Sequence, residues 1–130
     1  MSDPVGVPRA VVLGHAGFAA GIVGAARAIA GEAAHFAVVS NEGLDTAGIE
    51  AALGGWLAQG VRVIFTDLPA GSTTMAARRL QRTTPELVVI TGTSLPLLLD
   101  FAFSDAPPAI AARDAADRAK LAIMVTGGSA

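Results

Sequence analysis

Four short runs of consecutive apolar residues, rather than alternating ones, set the terms on which this chain can fold. They fall near Arg9–Gly14, His35–Ser40, Val61–Thr66 and Leu87–Thr91. A strand that is apolar on both faces has to be covered on both, which calls for a parallel sheet layered between helices. The intervening segments carry helical signals. Phe18 to Ala30 is Ala-rich and stops at Gly31, and Asp45 or Thr46 can cap a helix reaching about Gln59 before Gly60. Ser72 can cap a helix through about Arg82, and Thr93–Pro96 leads into a short helix ending near Phe103. Asp105-Ala106-Pro107-Pro108 breaks the chain, Ala109–Lys120 is helical, and Leu121–Thr126 is again strand-like. Four strand–helix units predict an α/β domain spanning 1–130, a small doubly wound and mainly parallel sheet with helices on both faces. The common order for such a sheet is 2-1-3-4, and the last apolar stretch adds a C-terminal edge strand.

Composition narrows the function. The chain has 130 residues, a net charge of −2 and a hydrophobic fraction of 52%. The mean hydropathy of +0.56 comes mostly from Ala and Val. The apolar segment Ala16–Ala26 ends at Arg27, and Leu95–Leu99 is flanked by Ser94 and Asp100. Both fall short of the roughly 20 apolar residues of a spanning helix. Met1-Ser2-Asp3-Pro4 lacks the basic start of a secretory signal, so a cytoplasmic protein is expected. With no cysteine, the chain has neither a disulfide framework nor a thiolate metal site, and no metal is expected. Arg78, Arg79 and Arg82 cluster without interleaved aromatics, which reads as a solvated helix face, with partner docking as the alternative and no nucleic-acid role. Gly14, Gly17 and Gly21 do not make a dinucleotide fingerprint and there is no P-loop, so no cofactor is expected.

Chemistry concentrates at His15. It follows the first apolar run in Leu13-Gly14-His15-Ala16-Gly17-Phe18, at the mouth of a strand-to-helix turn. In sheets of this kind the functional crevice lies at the carboxyl ends of the strands, where strand order reverses. Asp67 follows the third run in Thr66-Asp67-Leu68-Pro69-Ala70-Gly71-Ser72-Thr73. If strands one and three are neighbours, the two side chains converge. A carboxylate that accepts a hydrogen bond from one ring nitrogen leaves the other nitrogen's lone pair free to attack an electrophile. Ser72 and Thr73 add hydroxyls, and the helix starts after Gly17 and Gly71 add N–H donors, a set suited to a phosphoryl group without a metal. Plainer readings exist for each residue. A lone histidine at a strand end is often a polar turn residue, Asp before a Pro-Gly turn often serves the turn, and Ser72 serves as a cap. His35 opens a strand and reads as structural.

Gly14-His15-Ala16-Gly17-Phe18-Ala19, Asp67-Leu68-Pro69-Ala70-Gly71-Ser72 and Gly92-Thr93-Ser94-Leu95-Pro96-Leu97-Leu98, taken together and in this order, resemble the IIA component of the mannose-family sugar phosphotransferase system. The likeness covers roughly Arg9–Phe103. It implies that His15 takes a phosphoryl group from the phosphocarrier protein HPr and passes it to the IIB component, and through that to membrane IIC and IID components that hold sugar specificity. It further implies that Asp67 orients His15, that Gly17, Phe18, Gly71, Ser72 and Thr73 surround the phosphate, and that the protein is a cytoplasmic phosphotransferase at a membrane transporter. A homodimer is also implied, with the terminal strand added to a sheet of its own chain or its partner's. The family usually has Gly-Gly before the Ser or Thr, where this chain has Ala70-Gly71 behind Pro69. Two alternatives share the fold: the phosphohistidine subunit of a dihydroxyacetone kinase, and a non-catalytic regulatory domain. The intact set of His15, Asp67 and Ser72 speaks against the second.

Overall fold

All five residues of the first strand, β1 (Ala10–Gly14), are buried, which is possible only in the middle of a covered sheet. The computed structural model describes residues 6–129 and puts β1 there. Its neighbours are β2 (Phe36–Ser40) on one side and β3 (Val63–Thr66) on the other, with β4 (Val88–Ile90) beyond β3. All three pairings are parallel, giving the order β2-β1-β3-β4. Doubly wound topology and strand order are as the sequence predicts. β3 is shorter than its apolar run because Val61 precedes the ladder and Arg62 lends it only a carbonyl, which accepts from the Val88 N–H at 2.9 Å. The Arg62 guanidinium is turned instead to the carbonyls of Leu57 and Val61.

The side-chain alternation of β1 divides the core in two. Ala10 and Val12 face α1 (Phe18–Ala30), α4 (Leu95–Phe103) and α5 (Pro108–Ala119), with Phe36, Phe65 and Phe101 in the same cluster. Val11 and Leu13 face the opposite layer, α2 (Thr46–Ala58) and α3 (Ser72–Leu80), with Ile49, Leu53, Ile64 and Ala77. The three phenylalanines pack with ring centroids 5.1 to 6.2 Å apart, two of the pairs edge to face. The Arg9 guanidinium lies 4.5 Å from the centre of the Phe101 ring and donates to the Phe101 carbonyl at 3.0 Å. That cation–π contact closes the lower end of the cluster.

Helix ends separate structural caps from open ones. Asp45 caps α2 by accepting from the Gly48 N–H at 2.8 Å, and Ser94 caps α4. By contrast α1 and α3 begin at Gly17 and Gly71 with no side-chain cap. Ser72, expected as the cap of α3, is instead its first helical residue. Gly71 takes the N-cap with φ of 111°, a conformation that lets the chain turn abruptly into the helix. Within this single chain the expected terminal strand at Leu121–Thr126 does not form. Lys120–Ala122 is a 3₁₀ turn, and the following residues pair with no strand. A strand needs a neighbouring edge for its backbone groups, and here the segment makes no ladder with β4.

Phe101 is fully buried and touches both other rings, so Phe101→Ala leaves a cavity that the rigid sheet cannot fill. A loss of about 3–5 kcal/mol in urea unfolding is expected. A loss below about 1 kcal/mol would show that the layer collapses around the gap.

Candidate functional site

The register of the sheet assembles the site. Leu13 pairs with Thr66 on β3, and Gly14 pairs with Ser40 on β2. The residue that follows β1 therefore emerges between the residues that follow its two neighbours, so His15 is flanked by Asp67 on one side and Asn41 on the other. The convergence of His15 and Asp67 expected from the sequence is present.

Asp67 Oδ2 accepts two hydrogen bonds from the same residue, from the His15 backbone N–H at 2.8 Å and from the ring Nδ1–H at 2.7 Å. An ionised carboxylate only accepts, so in the neutral form of the ring the proton sits on Nδ1 and the lone pair is on Nε2. Among the described residues Nε2 has no hydrogen-bond partner. The His15 side chain is 39% exposed and that of Asp67 only 9%, so the nucleophile faces out from a carboxylate shielded beneath it. Burial pushes the Asp67 carboxyl up. The bonds from the His15 backbone and ring and from the Thr73 hydroxyl, with the charge of the imidazole, outweigh that and hold it below the ordinary value of 3.8.

Thr73 is fully buried and its hydroxyl donates to Asp67 Oδ1 at 2.9 Å. The sequence reading of that hydroxyl as a phosphate ligand is therefore corrected: it braces the carboxylate, because α3 turns Thr73 inward. Phe18 is corrected likewise, since its N–H donates to the His15 carbonyl at 3.0 Å. Its ring covers Gly14, where an added Cβ would meet Phe18 Cδ2 at 2.7 Å. Ser72 and Gly17 are exposed at the two uncapped helix starts, and Gly71 lies beside the ring, its missing Cβ 3.8 Å from His15 Cε1. The opening N–H groups of α1 and α3 have no intrahelical acceptor, which makes both ends attractive to an anion.

Several residues to which the sequence assigns no role at the site shape this ground. Thr93 donates to the Thr66 carbonyl at 2.6 Å, and the single Thr74 hydroxyl donates to the Leu68 carbonyl while its oxygen accepts from the Thr66 hydroxyl at 2.7 Å. Together they tie the loop carrying Asp67 to β3 and to the turn before α4. On the other flank Asn41 and Ser40 bind the backbone of Ala16. Their signal in the sequence is position alone, at the end of a strand adjoining β1. A groove on this face runs along α3 past Pro69, Gly71, Met75, Arg78 and Arg82, beside the imidazole rather than around it. Arg79 in the cluster is paired with Glu50 at 2.9 Å. His35 stands at the opposite end of β2, its carbonyl accepting from the Arg9 N–H.

The lowered Asp67 carboxyl makes folding depend on pH with a definite sign. Its contribution is present above the unfolded value near 3.9 and is lost as pH falls through the lower folded value. Unfolding free energies should therefore fall below about pH 5, and Asp67→Asn should flatten that acid limb. Parallel acid limbs in the two proteins would remove Asp67 from the linkage.

The comparisons with known proteins agree with this architecture. Residues 9–117 match the family model described as phosphotransferase system fructose IIA component. Among solved structures, a mannose/sorbose-specific IIA subunit of the phosphotransferase system from Enterococcus faecalis superposes with a TM-score of 0.81 at 22% identity, covering 95% of this chain and 97% of its own. The IIA protein associated with the fucose utilization operon of Streptococcus pneumoniae gives 0.69 at 19% identity, over 91% of this chain and 93% of its own. The phosphotransferase system component EIIA from Streptococcus agalactiae gives 0.69 at 15% identity, over 85% and 93%. Among curated proteins none matches the chain.

Proposed function

Because the chain belongs to the fructose/mannose-type IIA family of the sugar phosphotransferase system, we propose that it is a phosphohistidine carrier whose acceptor is Nε2 of His15. The observation that carries this reading is the 2.7 Å bond from Nδ1–H to Asp67, which leaves Nε2 with a lone pair between two uncapped helix starts. In the forward step that lone pair attacks the phosphorus of a phosphorylated donor protein, HPr. The N–P bond of the donor breaks and its electron pair returns to the donor ring. Nδ1 of His15 keeps its proton throughout, so positive charge develops on the ring as the new bond forms. Asp67, already ionised and partly shielded from water, stabilises that charge without reorganising. The amides at Gly71, Ser72 and Thr73, with the Ser72 hydroxyl, are suited to the phosphoryl oxygens. A second attack, by a nucleophile of the IIB component, reverses the sequence and hands the group towards sugar uptake.

Association with a membrane transporter comes through partners in this reading. Among the described residues no helix is long and apolar enough to cross a membrane.

The reading is tested by incubating the protein with phosphoenolpyruvate, enzyme I and HPr. One acid-labile, base-stable phosphate is expected, absent in His15→Ala. Asp67→Asn should slow single-turnover transfer from phospho-HPr by roughly 10²–10³-fold while leaving the fold intact. Label retained in His15→Ala overturns the assignment. Onward transfer to the ADP-containing subunit of a dihydroxyacetone kinase, rather than to IIB, reassigns the partner.

A homodimer belongs to the same proposal. Leu121, Ile123, Met124 and Val125 are 76–93% exposed, while β4 leaves one edge of the sheet without a strand. An exposed apolar segment and an open edge are complementary, and a second copy supplies both at once. Light scattering should give twice the chain mass, and removal of residues 119–130 should leave monomers or aggregates. A truncated protein that keeps the dimer mass would place the interface elsewhere.

A further inference from the structure

We propose that Ser40 and Asn41, at the end of β2, are positioning residues for His15, acting through a strained residue at Ala16. The part of this inference that concerns transfer rates rests on the carrier reading above; the geometry does not.

Ala16 has φ of 50° and is the one non-glycine residue in the left-handed region among the described residues. A side chain with a Cβ adopts that conformation at an energetic cost that glycine does not bear, so something must hold it. Both polar groups of Ala16 are held, and by side chains of the neighbouring strand end. The Asn41 Oδ1 accepts from the Ala16 N–H at 3.0 Å, and the Ser40 hydroxyl donates to the Ala16 carbonyl at 2.9 Å. The clamp is itself anchored. Asn41 N–H donates to the Gly14 carbonyl at 3.2 Å, and Ser40 Oγ accepts from the Glu42 N–H at 3.1 Å.

His15 is thereby fixed from two sides. Asp67 holds its backbone N–H and its ring, and Phe18 N–H holds its carbonyl. The Ser40–Asn41 clamp then prevents the next residue from relaxing. Without it, Ala16 gains by returning to negative φ, which rotates the peptide units on either side. That motion drags the His15 carbonyl away from Phe18 and tilts the ring off Asp67. It also displaces Gly17, the open start of α1. A displacement on the order of 1 Å is enough to slow a positioned reaction severely. Asn41 and Ser40 never need to touch the phosphoryl group to produce this effect.

The strain at Ala16 supplies a rescue that an ordinary structural role does not predict. Removing the clamp harms the site because Ala16 resists its own conformation, so Ala16→Gly should make the clamp dispensable. Asn41→Ala is expected to slow single-turnover transfer from saturating phospho-HPr by about 10- to 100-fold. Its His15 ¹⁵N spectrum should show a mixture of tautomers where the wild type shows the Nδ1–H form. The double variant Asn41→Ala/Ala16→Gly should recover both the rate and the single tautomer, and Asn41→Asp, which keeps the acceptor, should retain them. Ser40→Ala tests the other half of the clamp if Asn41→Ala does not fold. The ring spectrum needs no phosphate donor, so the two readings fail separately. A wild type that accepts no phosphate but whose tautomer follows Asn41 and Ala16 leaves the clamp standing and removes the carrier function. Unchanged rate and tautomer in both Asn41→Ala and Ser40→Ala, or a defect that Ala16→Gly does not repair, overturns the clamp.

Discussion

β1 is paired along both edges and buried on both faces, and the site exists because of that double enclosure. A central strand in a parallel sheet has its carboxyl end walled by the ends of two neighbours, and here each wall contributes polar groups. β3 delivers Asp67 and β2 delivers Ser40 and Asn41, while the helices that follow β1 and β3 start beside the same point. A reactive side chain on an edge strand would have one wall and one helix start. The buried apolar runs are thus the reason the imidazole can be held from both sides at once.

Rigidity beneath the site comes from hydroxyls rather than from charge. Thr66, Thr73, Thr74 and Thr93 are all buried, and each hydroxyl has a partner among backbone carbonyls, other hydroxyls or Asp67. Among the described residues no buried side-chain nitrogen or oxygen lacks a partner. A fully satisfied polar network in a low-dielectric setting resists distortion, since any movement strands a group without water to replace its bond. The carboxylate therefore keeps its orientation before, during and after charge appears on the ring. The two helix starts are left uncapped at the same place, and their N–H groups need either water or an anion. Stability and chemistry are divided between the two halves of the site: hydroxyls below, open amides above.

Much of this is legible in the amino-acid sequence itself. The apolar runs, the Gly stops and the Asp45 cap placed nearly every element, because parallel strands and capped helices leave strong local signatures. His15 and Asp67 stood out by residue type at two strand ends. What escaped the reading followed from direction. Thr73 looks like a free hydroxyl in sequence, yet α3 turns it beneath the loop to the far oxygen of Asp67. Phe18 looks like a donor at a helix start, yet its amide closes the turn on the His15 carbonyl. Leu121–Thr126 has the composition of a strand, yet in a single chain it forms no ladder even with the open edge of β4, because composition alone does not bring a segment alongside an edge.

From its residues alone the protein was committed to a covered parallel sheet and to one histidine and one aspartate at the ends of its strands. Hydrophobic periodicity is a local property, and a continuous apolar run can be stable only where both faces are buried. Only the tertiary structure decided which strands adjoin and in what register, and so which oxygen meets which nitrogen. That information is spread over pairings such as Leu13 with Thr66 and Gly14 with Ser40, which no local segment contains. The tautomer of His15, the inward turn of Thr73 and the left-handed Ala16 all follow from it, because each is set by a hydrogen bond between residues at least six positions apart.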